Sequence, residues 1–127
     1  DAADACVRRE RSNTPLQALT MMNDGVFVEA AQSLALRVLR QSPAETPKRL
    51  QKLCHLVLNR EPRVEELSRL QAFHAEQKAR VKNGGTEALK ALGTHEKAVS
   101  SSESVEAATL VATARVLMNL DEFINRQ

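Results

Sequence analysis

Apolar residues recur at intervals of three and four along most of this chain, and that spacing constrains its fold more than any other feature. Phe27, Ala30, Ala31, Leu34, Ala35 and Val38 would line one face of a helix, with Leu39 extending the stripe. Leu50, Leu53, Cys54, Val57 and Leu58 repeat the pattern, and Leu67, Leu70, Phe73 and Val81 do so again. Tyr and Trp are absent and Phe occurs three times, so the core must rest on Leu, Val and Ala. Leu and Ala favour helix, and strand-forming aromatics are nearly missing. The expectation is an all-α domain of four to five principal helices. Short connections allow either a compact bundle or an orthogonal array.

Punctuation along the chain places the elements. Residues 1–13 lack periodicity and read as an extended lead-in, at the start of a fragment of a larger protein. The helical domain then covers 14–127. Thr14-Pro15 followed by Gln17 forms a capping-box start, and the first helix runs to about Asn23 with Leu16, Leu19 and Met22 on one side. Asn23-Asp24-Gly25 breaks it and caps the next helix. Thr46-Pro47 opens a third, which Asn59 in a left-handed conformation would close before Pro62. A fourth runs from about Val64 to Lys82 and ends at Asn83-Gly84-Gly85. Residues 86–92 have room for two helical turns, and the stretch of about 83–102 reads as a mobile loop. Ser100 with Glu103 suggests another capping box before the last long helix, about 103–119. Apolar residues lie so far round that helix that it should be buried between others.

The charge balance, 18 basic against 16 acidic residues, gives no electrostatic footprint for nucleic acid, and aromatic stacking residues are scarce. No apolar run approaches the roughly 20 residues of a membrane span. The two cysteines, Cys6 and Cys54, match no zinc spacing, and the sequence leaves open whether they are bridged. Cys54-His55 lacks the earlier Cys of a haem attachment site, since Gln51 stands there, so no covalent haem is expected. His55, His74 and His95 share no metal-binding spacing, and His74, beside Phe73, reads as a partly buried histidine.

The candidate site residues are polar clusters at the two ends. Arg8, Arg9 and Arg11 could hold phosphate, sulfate or carboxylate groups, or pair with acids of the same protein. Asn13, Gln17, Asn23 and Asp24 surround the first short helix, where Asn23 and Asp24 also serve as caps. Asp121 and Glu122 end the last helix and could bind a cation or act as acid and base, against the commoner role of solvating a helix end. No catalytic constellation or metal set stands out.

The segment from Arg8 through Thr14-Pro15-Leu16-Gln17-Ala18-Leu19 to Asn23-Asp24, followed by Val26-Phe27-Val28-Glu29-Ala30-Ala31, resembles the C-terminal domain of unknown function of large planctomycete surface proteins, which often carry a cytochrome-c-like domain upstream. Arg49-Leu50 through Leu56-Val57-Leu58-Asn59-Arg60-Glu61-Pro62 is similar to that family's second signature, and Val116 to Phe123 to its closing one. Arg63-Val64 departs from the pattern, standing where a capping Thr-Pro is usual, and the 83–102 stretch has no clear counterpart. The resemblance implies an exported protein of the cell envelope or extracellular space, with any haem in another domain of the parent chain. It implies no activity.

The expectation is therefore a non-catalytic structural or interaction module of a large exported multidomain protein. Its partners would be upstream domains of the same parent, or a cell-surface protein. The alternative is a part of a polysaccharide- or anion-binding site, or of an enzyme, completed by upstream residues. There, Arg8, Arg9 and Arg11 would engage an anionic polysaccharide, and Asp121 or Glu122 would supply acid/base chemistry.

Overall fold

The computed structural model describes residues 25–125, with side chains through Leu120. The expected lead-in and first short helix lie outside the described residues. Four α-helices follow: α1 Gly25–Gln41, α2 Thr46–Leu58, α3 Val64–Leu89 and α4 Ser104–Asn125, with a 3-10 stretch Lys90–Ala98 between the last two. Among the described residues there is no strand.

α1, α2 and the body of α3 form where the apolar period places them, α4 runs on to Asn125 past the expected end near 119, and local chemistry sets the helix starts. Pro47 in the first turn of α2 needs no hydrogen-bond partner for its missing N–H. Glu45, rather than Thr46, takes the cap position, and its carbonyl receives the Arg49 N–H at 3.1 Å. Asn59 closes α2 in the left-handed conformation (φ 58, ψ 33), and its N–H reaches the His55 carbonyl at 3.0 Å. Arg63 takes the cap position of α3, and Glu66 supports that start. Its carboxylate accepts the Arg63 backbone N–H at 2.9 Å, while Arg60 grips the same carboxylate through both guanidinium nitrogens at 2.8 and 2.9 Å. The Arg60 bonds outweigh the cost of burial and hold the Glu66 carboxyl down at about 2. Ser100 and Glu103 do meet before α4, but the Ser100 hydroxyl donates to the Glu103 carboxylate at 2.9 Å instead of capping a backbone N–H.

The stretch read as a loop is more helical than its composition suggests. Helical turns continue past Asn83 to Leu89, interrupted at Gly85 (φ 58, ψ −139), and 3-10 turns carry on to Ala98 through a second break at Gly93 (φ 58, ψ −134). These backbone angles favour glycine, so the two residues let a helical path change direction twice. The anchor is Leu92, fully buried in the core. One buried leucine is worth roughly 1.5–3 kcal/mol, enough to draw an otherwise polar segment onto the bundle.

The last helix is the centre of the fold and packs against α1, α2, α3 and the 3-10 stretch. Its Ala107, Ala108, Leu110, Val111, Ala114 and Leu117 are all buried. The core is continuous from these residues to Ala35, Val38, Leu50, Leu53, Leu70 and Phe73. Alanines on α1 and α4 bring those backbones close together. The buried face of α1 is displaced from the expected stripe. Gln32 and Leu36 are buried, while Ala30 and Leu34 are half-buried. The displacement follows from the 3-10 stretch, which covers that side: the Gln32 amide donates to the Ala91 carbonyl at 2.8 Å.

Candidate functional site

The most developed polar cluster lies where α2, α3 and α4 meet. Glu106, in the first turn of α4, is its centre, with a side chain only 11% exposed. One carboxylate oxygen accepts from Arg49 Nη1 of α2 at 2.6 Å. The other faces His74 Nε2 of α3 at 3.1 Å, with Lys78 Nζ at 3.7 Å. Arg49 and His74 come from faces that the apolar stripes of α2 and α3 turn toward α4. His74 and Lys78 share a face because they are four apart on one helix.

The electrostatics are decided by competition. Burial would raise the Glu106 carboxyl, but the hydrogen bonds from His74 and Arg49 and the nearby charge of Lys78 prevail and hold it down at about 2, from an ordinary 4.5. The group is therefore ionised and can only accept. His74 Nε2 must then carry the proton it shares with Glu106. On the other side of the ring, Nδ1 meets the Thr113 hydroxyl at 3.0 Å. Thr113 also lies 3.1 Å from the Thr109 carbonyl, and Thr109 in turn donates to the Val105 carbonyl at 2.7 Å. The single Thr113 proton can go to Thr109 or to the imidazole, but not to both.

This arrangement ties three helices together. Both carboxylate oxygens are engaged, and His74 is 2% exposed, so neither is presented to an outside substrate. Elsewhere, His95 Nε2 meets Glu29 at 2.8 Å and links the 3-10 stretch to the start of α1. Among the described residues, no three His, Cys, Asp or Glu side chains gather where they could hold a metal ion. Cys54 is buried in the core. Its expected candidate partner Cys6 lies outside the described residues.

The match to known families can be set against this geometry. A family profile described as Protein of unknown function (DUF1553), PSD1, matches residues 1–74. The chain belongs to that family. The DUF1553 match takes in the polar N-terminal motif, α1, α2 and α3 as far as His74, so it includes Arg49 and His74 but stops before Glu106 and Thr113. A search of curated proteins returns no match. A search of solved structures also returns none.

The residues of this cluster are not the ones singled out as candidates from the sequence. Arg8, Arg9, Arg11, Asn13, Gln17, Asn23 and Asp24 lie outside the described residues. Asp121 and Glu122 fall on the α4 backbone, and their side chains lie outside the described residues. Arg49, Lys78, Glu106 and Thr113 were not singled out as site residues, and His74 is more deeply buried than expected. A signal did exist in the sequence: His74 and Lys78 sit at i and i+4, and Glu106, Thr109 and Thr113 at i, i+3 and i+7. What could not be read was that these two faces oppose each other.

Proposed function

We propose that this DUF1553 chain is a non-catalytic structural or interaction module, part of a large exported planctomycete-type multidomain protein. One observation carries this reading. The only described cluster in which four ionisable side chains converge, that of Arg49, His74, Lys78 and Glu106, directs its hydrogen bonds inward and fastens the bundle. A rigid core of this kind suits a domain that presents a fixed surface. The polar N-terminal motif, with Arg8, Arg9 and Arg11, is the natural contact for upstream domains of the same parent or for a cell-surface partner, because guanidinium groups recognise carboxylates at interfaces. No described helix is long and apolar enough to cross a membrane.

The test is a pull-down between this chain and the preceding part of the parent protein. Association that weakens when Arg8, Arg9 and Arg11 are replaced by alanine supports the reading. No association in either form overturns it. Heat on titrating the longer protein with sulfated glycans would favour a role in binding anionic polysaccharide instead.

A further inference from the structure

Residues 86–98 are attached to the bundle at few points. Leu92 is the one residue of this stretch that is fully buried. Ala88, Leu89 and His95 are half-buried, and the others are exposed. The Gln32 amide of α1 donates to the Ala91 carbonyl at 2.8 Å, and its nitrogen lies 2.8 Å from where a Cβ on Gly93 would fall. The remaining tie, His95 to Glu29 at 2.8 Å, has a carboxylate side chain 55% exposed, and ion pairs so open to water hold weakly.

The backbone of this stretch is also weakly built. Runs of 3-10 turns longer than three or four residues are uncommon, because their hydrogen bonds are poorly aligned. Lys90–Ala98 runs for 9 residues. Gly85 breaks the path before it, Gly93 breaks it midway, and Val99 leaves it extended (φ −119, ψ 133). Meanwhile α1, α2 and α3 each pack on α4 directly, so the four helices hold together without it. Ordering the stretch costs entropy at every residue, while full burial is confined to Leu92. Segments with few buried apolar contacts open at a lower free energy than the whole fold.

Gln32 has the chemistry of a surface that is covered only part of the time. It is buried beside Ala31, on the helix that also buries Ala35 and Leu36. An apolar side chain would suit a permanent cover better, whereas an amide returns to water without penalty when the cover lifts. We propose that residues 86–98 are a strap that opens as one unit, turning at Gly85 and Val99, while α1 to α4 stay packed. The closed form is fastened by Leu92 and by the Gln32–Ala91 hydrogen bond. The open form presents the Gln32 amide and the vacated seat of Leu92 to solvent.

Hydrogen exchange on the whole 127-residue chain, followed against low concentrations of urea, tests this. Amides of residues 86–98 should be protected, but roughly a hundredfold less than those of residues 107–117 in α4. Their exchange should depend only weakly on urea, because opening the strap exposes little surface, while that of α4 should depend steeply. Gln32→Ala should speed exchange at 86–98 roughly five- to ten-fold, the scale of one lost hydrogen bond, and leave α4 unchanged. If Gln32→Ala loosens the entire bundle, the urea dependence of the unaltered chain decides. Equal protection and equal urea dependence at 86–98 and 107–117 overturn the proposal, since the stretch would then open only with the whole fold. Unprotected amides at 86–98 in the unaltered chain overturn it too, because no closed form would exist. So does Gln32→Ala exchange at 86–98 no faster than in the unaltered chain.

Discussion

Arg49 and Glu106 stand 57 positions apart and meet at 2.6 Å, the guanidinium Nη1 donating to the carboxylate Oε2. His74 holds the other carboxylate oxygen at 3.1 Å. Three helices thus converge on one buried negative charge, and the stability of the bundle should respond to that charge more than to any exposed ion pair.

Glu106→Gln keeps the shape but removes the charge. Arg49 and His74 are left without their counter-ion, and the bundle should lose on the order of 3 kcal/mol in urea unfolding. The pH dependence has a definite sign. The Glu106 carboxyl is lowered from 4.5 to about 2, so its contribution is complete above pH 4.5 and disappears as pH falls toward 2. The variant's stability should fall less steeply than that of the unaltered chain across this window, as followed by circular dichroism.

Thr113→Val tests the far side of the imidazole. Valine matches threonine in shape but gives His74 Nδ1 no partner, and that ring sits almost wholly out of solvent. The expected loss is about 1–2 kcal/mol. An unchanged urea midpoint would show that Nδ1 does not need Thr113.

The two glycine breaks should differ in their tolerance of a side chain. Both have φ 58, so alanine strains either by roughly 1–3 kcal/mol. At Gly85 an added Cβ meets nothing within 4 Å, whereas at Gly93 it falls 2.8 Å from Gln32 Nε2. That amide already donates to Ala91. Gly93→Ala should therefore lower the melting temperature more than Gly85→Ala.

Glu66→Ala probes the start of α3. It removes the acceptor of the Arg63 N–H and the bidentate partner of Arg60, in a more open setting than Glu106. The expected cost is about 1 kcal/mol, measured by thermal unfolding. A loss as large as that of Glu106→Gln would contradict the ranking by burial.

The helical class, the placement of α1, α2 and the body of α3, and the burial of α4 were legible in the chain because they depend on local rules. Apolar spacing selects a helix face, Pro47 is compatible only with a first turn, and Asn59 tolerates the left-handed cap. The stretch after Asn83 was less legible, since its helical turns depend on Leu92 finding the core and on Gln32 reaching Ala91.

The cluster at Glu106 belongs to the tertiary structure. In one dimension Arg49, His74 and Glu106 are ordinary charged or polar positions on three amphipathic helices, and the nine site candidates drawn from polar clustering have side chains outside the described residues. Periodicity is a short-range property of a chain and dictates which face of a helix turns inward. Which residues meet across the core depends on how α2, α3 and α4 cross, and only their packing brings a carboxylate at 106 between partners at 49 and 74.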